Sequence, residues 1–230
     1  MKKLLSLSLS LSLFILISIL SPSKVHAIDF TVGATTWYTW WDLNRDGGKI
    51  DIAPAFLYGP ALAVKFNDDF NLTCVYLYGE FNLNKTAIYH GKTFSKIRRQ
   101  DFDLALNYRL NNYFKIFAGV KNINYKYVGI GDYGSMGPAL GLSAICPLND
   151  NLFLIANLSG YYHPNGEETG PLKEYGMNST LTLAYYIASA STTISLGGRF
   201  QHSKTDYDDS TREPTKQTFY GITLTATYTF

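Results

Sequence analysis

Between Tyr220 and Phe230 the sequence alternates strictly. Tyr220, Ile222, Leu224, Ala226, Tyr228 and Phe230 share one parity, and Gly221, Thr223, Thr225, Thr227 and Thr229 share the other. Side chains on an extended strand point to opposite faces in turn, so this segment is apolar on one side and hydroxyl-lined on the other. Ile194, Leu196 and Phe200 oppose Ser195, Arg199 and Gln201 in the same way, and Phe102, Leu104, Leu106 and Tyr108 oppose Asp101, Asp103, Ala105 and Asn107. No helical period competes over comparable lengths.

Reading the whole chain this way gives ten strands, near residues 29–41, 51–66, 70–82, 99–110, 113–124, 135–146, 151–163, 174–187, 191–202 and 218–230. The connections alternate between long and short. Residues 67–69, 111–112, 147–150 and 188–190 are trim turns, whereas 42–50, 83–98, 125–134, 164–173 and 203–217 are long and polar. An antiparallel meander places odd and even connections at opposite ends, which is the layout of outer-membrane barrels. A strand of about eleven residues at ~3.3 Å each, tilted by roughly 40°, rises about 28 Å and crosses an apolar band of ~25 Å. Closure also pairs every backbone group, as hydrocarbon requires. A soluble ligand-binding barrel would turn its apolar face inward. Here the polar face is mostly Thr, Ser, Asn, Gly and Ala, a poor water-facing surface for so long a sheet.

The expected fold is therefore all-β: an up-and-down antiparallel transmembrane β-barrel of ten strands, with eight as the alternative count. Three details strain it. Gly59-Pro60 sits mid-strand, where a missing N–H predicts a bulge, and Pro138 lies near another strand's start. Asn122 and Asn124 fall on the apolar face, so the fifth strand either leaves the membrane there or shifts parity. Trp40 and Tyr38 near the loop end, with Phe30 and Tyr228 near the turn end, read as aromatic belts.

The first 27 residues read as an export signal. Lys2 and Lys3 precede an apolar run over 4–20, and Val25-His26-Ala27 ends it with small residues at the positions signal peptidase accepts. The barrel domain is then 28–230. The formal charge of +2 includes Lys2, Lys3 and Lys24, and without them the balance is −1, which argues against nucleic acid. Cys74 and Cys146 are too few for a disulfide scaffold, and parity puts them on opposite faces of non-adjacent strands.

The export segment, the amphipathic strands and the terminal Phe230, with Tyr228, Ala226, Leu224 and Ile222 on its parity, together resemble small bacterial outer-membrane β-barrel proteins. The likeness covers residues 28–230. It implies residence in the bacterial outer membrane, contact with its lipid, and assembly by the barrel-assembly machinery through the terminal aromatic signature. It does not specify an activity.

Parity sends Glu80, Arg99, Asp101, Asp103, Arg109, Lys115, Lys121 and Arg199 into the lumen as a charge cluster. Hairpin pairing about Asn111-Asn112 sets Asp103 opposite Lys121 and Arg109 opposite Lys115, while the preceding hairpin brings Glu80 near Asp101. Such a cluster either plugs the lumen by mutual neutralisation or forms a constriction that selects solutes. Asp101 and Asp103 also look like half of the site of omptin proteases, but the Asp-x-His partner is missing, since no Asp stands two residues before His202. No other hydrolase or phosphate-binding motif occurs. Asp42, Asn44 and Asp46 before Gly47 match the first half of a calcium loop, although Ala53 replaces its twelfth-position Glu. No cofactor is expected and no catalytic residue is assigned. The leading function is a surface-exposed, non-enzymatic barrel whose loops bind an unknown ligand or whose body reinforces the membrane, with 203–217 as the favoured contact surface. A narrow pore or carrier for small molecules is the alternative, and an omptin-type enzyme the remote one.

Overall fold

A computed structural model describes residues 28–45, 48–89, 92–164, 172–207 and 213–230. The export segment lies outside these residues, as do Asp46, Asp208, Asp209 and Arg212. The strands are β1 (Asp29–Arg45), β2 (Gly48–Ile50), β3 (Ala55–Lys65), β4 (Phe70–Tyr89), β5 (Lys92–Arg109), β6 (Phe114–Tyr127), β7 (Gly131–Pro147), β8 (Leu152–His163), β9 (Leu172–Ile187), β10 (Thr192–Tyr207) and β11 (Thr215–Thr229). Short β2 folds back on β1 as a hairpin. The other ten run antiparallel to their neighbours, and β11 pairs with β1 to close the barrel.

The register fixes its girth. Starting at Thr31 and stepping through paired residues Ala63, Thr73, Ala105, Gly119, Ala139, Tyr161, Gly176, Ser203 and Gln217, the path meets β1 again at Leu43, twelve residues along. Ten strands with that stagger tilt by roughly 40° and leave a backbone radius of about 9 Å. Two large side chains from opposite walls span such a lumen. Inward glycines let the wall coil: a Cβ at Gly119 would lie 1.9 Å from the Leu104 carbonyl oxygen, and one at Gly221 1.9 Å from that of Tyr38. The neighbouring strand's backbone occupies the space beside these glycines.

Three of the four tight turns use one device. Asn67, Asn111 and Asn149 each accept, through Oδ1, hydrogen bonds from the backbone N–H groups two and three residues on, at 2.8–2.9 Å. Side-chain amides that mimic a backbone turn are the reason Asn sits there. The fourth turn is a single 3-10 turn, Ala188–Ala190, followed by Ser191 at φ 45°.

The outer wall carries the apolar stripe. Phe30, Leu62, Leu140, Leu142, Leu158, Leu181, Leu196, Ile222 and Leu224 are all among its exposed side chains. Tyr38, Trp40, Phe56 and Tyr220 cluster at its upper edge, with Trp40 stacked on Tyr220 at 5.8 Å. At its lower edge Phe230 donates its N–H to Phe30 O at 2.8 Å and sets its ring edge-on to Tyr228.

The strands run further than the sequence suggests. Residues 83–98, expected as a loop, are mostly the continuing β4–β5 hairpin. There the stripe inverts: Trp41, Leu43, Phe81, Leu83, Phe94, Ile97, Ile123, Tyr125, Tyr127 and Phe219 point inward and are buried, while Asn44, Lys96 and Lys126 point outward. Above the lipid the wall meets water, so the apolar residues change sides. Asn122 and Asn124 stay on the outer face without a parity shift, hydrogen-bonded to each other at 2.9 Å. The bulge expected at Gly59-Pro60 is not formed. The β3–β4 ladder is interrupted between Tyr58↔Tyr78 and Ala61↔Val75, but both pairs keep one register, and Pro60 stays paired with Ala34 of β1.

Candidate functional site: a bridged lumen

Arg99 and Asp101 are two residues apart on one face of β5, so both side chains enter the barrel. They form a two-point ion pair, Nε to Oδ1 and Nη2 to Oδ2, each 2.7 Å, and both residues are almost wholly buried. Arg99 Nη2 also donates to Gln201 Oε1 at 2.9 Å. Strand β10, which carries Gln201, lies five strands from β5 in either direction round the ring, so this bond crosses the lumen along a diameter. Gln201 Nε2 donates to the Tyr161 hydroxyl at 3.2 Å, and Tyr161 donates to Glu174 Oε1 at 3.4 Å. Ser135 Oγ donates to Glu174 Oε2 at 2.8 Å and lies 2.7 Å from His163 Nδ1. A hydrogen-bonded strap thus joins β5, β10, β8, β9 and β7.

A second bridge lies toward the turn end. Lys121 Nζ contacts Asp103 Oδ1 at 2.6 Å, and Arg199 of β10 reaches Asp103 Oδ2 at 3.8 Å and donates to Asn178 Oδ1 at 3.1 Å. Aromatic rings shelter both bridges. The Arg99 guanidinium carbon sits 3.7 Å from the centroid of Phe219, and that of Arg199 4.4 Å from that of Trp37. Trp41 stacks on Phe219 at 4.8 Å and meets Phe81 edge-on, closing the outer end of the lumen with an apolar cap. Buried charges hold only when paired and hydrogen-bonded: Arg99, Asp101, Asp103, Lys121 and Arg199 each have a partner of opposite sign, and the Glu174 carboxyl is held by the hydroxyls of Ser135 and Tyr161.

Of the eight charges read from parity, Arg99, Asp101, Asp103, Lys121 and Arg199 meet in these bridges. Arg109 and Lys115 stand opposite each other at the turn-end mouth, where Arg109 lies 3.7 Å from Asp69. Glu80 does not enter the lumen. It pairs across the strands with Arg98 rather than Asp101, and on the outer face it binds Lys96 at 2.7 Å and Arg98 at 2.9 Å. The same phase error misplaces Cys74, which shares the outer face with exposed Cys146. Both parities of β4 are apolar there, because Val75, Leu77 and Phe81 line the inner core while Leu72, Tyr76 and Tyr78 face outward, so the stripe alone does not set the phase. Gln201, Tyr161, Glu174, Ser135, His163 and Asn178 were not singled out from sequence. Gln201 shares the parity of Arg199, and Glu174 that of Asn178 and Thr180. Amides and hydroxyls carry no formal charge, so the clustering of charge along the strands does not reveal them.

The arrangement offers little for catalysis. Asp101 and Asp103 are each tied to a cation. Ser135, His163 and Glu174 are in contact, but the serine stands between the other two, whereas nucleophilic activation requires the histidine between serine and acid. Asp42 pairs with Lys49 at 2.8 Å, raising the lysine pKa above its ordinary value through that hydrogen bond and the charge attraction behind it. Asn44 is exposed beside it, and Asp46, the third residue of the half-motif, is outside the described residues. In the region 203–217, Lys204 pairs with Asp206 at 2.8 Å.

The fold is similar to that of the outer-membrane protease OmpT from Escherichia coli, with a TM-score of 0.55 and 10% identity over 91% of this chain and 100% of that one. Looser likenesses include Ail, the attachment invasion locus protein of Yersinia pestis, at TM-score 0.40 and 13% identity over 87% and 99% of the two chains. OprG of Pseudomonas aeruginosa gives 0.35 and 13% over 89% and 96%. No family model matches the chain, and no curated protein does. At such identities the likeness concerns architecture. The chain has the fold of an integral outer-membrane β-barrel of ten strands.

Proposed function

We propose that this protein is a closed, non-enzymatic outer-membrane barrel that holds a rigid, water-facing rim above the lipid, with that rim as its working surface. The observation that carries this reading is the diametric bond from Arg99 to Gln201 under the Trp41–Phe81–Phe219 cap. A lumen about 18 Å across between backbones, bridged at two levels and capped by rings, favours a plug over a solute path. The pore alternative has only the small-residue lining of the turn-end half in its favour. Against an omptin-like protease, Asp101 is buried beneath the cap and held by Arg99, away from the water and peptide that hydrolysis requires. The export segment 1–27 and the terminal Phe230 support delivery to the bacterial outer membrane and assembly there by the barrel-assembly machinery.

Planar-bilayer recording of the refolded protein tests the closed lumen. Wild type is expected to give no steady current across the usual voltage range. Reproducible channel steps that a Lys121→Met exchange alters in size or ion preference would instead establish a pore.

A further inference from the structure

The outer wall is uneven at the height where lipid headgroups meet it. On β1, β3 and β11 that height carries Tyr38, Trp40, Phe56 and Tyr220, whereas on β5 and β6 it carries Gln100, Asn122 and Asn124. Two of these amides, Gln100 and Asn124, line a groove of about 480 Å³ together with Tyr78, Arg98, Lys126 and Asp132. Gly134 makes room for the Asn124 amide, whose Oδ1 occupies the place a Cβ would take. Arg98 and Lys126 are direct cross-strand partners on the outer face, and like charges so placed repel unless an anion lies between them. Glu80 engages Arg98 at Nε, and Asp132 meets Lys126 at 3.3 Å. Those contacts leave three cations, with Lys96, facing two carboxylates.

A second groove, of about 580 Å³ and almost entirely apolar, lies below on the same sector. Leu106, Ile116, Ala118, Leu140, Leu158 and Gly160 line it. Ala118 is six residues below Asn124 on β6, about 15 Å lower at the tilt of this wall. A cationic, amide-lined groove in the headgroup layer above an apolar groove in the hydrocarbon layer matches one amphiphile better than any soluble anion. We infer that β4–β8 hold a single phosphorylated glycolipid of the outer leaflet, with a phosphate between Arg98 and Lys126, sugar hydroxyls on Gln100 and Asn124, and an acyl chain along Ala118 and Leu140. The inference rests on the lipid-facing outer wall and is independent of whether the lumen conducts.

Nanodiscs of phosphatidylcholine doped with bis-phosphorylated lipid A, followed by native mass spectrometry of the released protein, test the site. Wild type should retain one lipid A, and Arg98→Gln/Lys126→Gln should retain at least about tenfold less. Lys204 and Lys216 form another cross-strand cation pair on the opposite side of the barrel, so Lys204→Gln/Lys216→Gln should retain lipid A as wild type does. Ala118→Phe, which fills the lower groove, should also weaken retention, and millimolar inorganic phosphate should not compete. Unchanged retention in either groove variant, equal loss in the Lys204/Lys216 control, or competition by free phosphate would each overturn the assignment. Heat-modifiable electrophoretic migration reports folding of every variant, and single-channel silence is read separately, so failure here is distinct from failure of the closed-lumen reading.

Discussion

At the scale of single residues, the lumen illustrates how a buried ion pair tolerates double replacement better than single. Removing Arg99 leaves Asp101 charged, desolvated and without its two-point partner, and Gln201 loses its donor. Arg99→Met is therefore expected to destabilise the folded barrel by about 3–5 kcal/mol, while Arg99→Met/Asp101→Leu should recover most of that loss. Urea titration of both variants in lipid vesicles gives the comparison; a double variant as unstable as the single would contradict it. The pairing Asp103↔Lys121 was legible from the sequence because the Asn111-Asn112 turn signal lies at the centre of the hairpin, which closes around Asn112 between Leu110 and Phe114. Glu80 was not, because its hairpin tip carries an irregularity between Asn82 and Ala87 that no local signal announces.

At the scale of elements, the turn ends of the strands were legible and the opposite ends were not. Each tight turn carries its own chemistry, such as Asn67 or Asn149, which stops a strand within a residue or two. At the other end, polarity on the outer face reads as loop, although it marks only the change of solvent from lipid to water. Continuous pairing from Asn82↔Lys96 back to Phe70↔Tyr108 predicts that the Phe81 and Ile97 amides exchange as slowly as those of Leu72 and Leu106. Hydrogen–deuterium exchange with mass spectrometry checks this, and exchange of those amides within seconds would restore the loop. Burial of the cap gives a second expectation: Phe81→Ala should cost about 3–5 kcal/mol, read from the same urea titrations, although Phe81 stands beyond the hydrocarbon.

At the scale of the whole molecule, the two cysteines report how the barrel sits in the bilayer. Cys74 is outward between Leu62 and Leu104, within the apolar wall, and Cys146 is exposed by the tight turn that follows β7. In nanodiscs a charged, membrane-impermeant maleimide should modify Cys146 and spare Cys74, and both should react once the protein is unfolded. Equal rates in the folded state would mean that the wall does not face lipid. The inversion of the stripe above the bilayer has a further consequence. Because the projecting storey has its own dry interior, its crown can be rewritten residue by residue without disturbing either the greased hull or the seal beneath. A surface of that kind can keep changing its appearance to the outside world while the vessel that carries it stays the same.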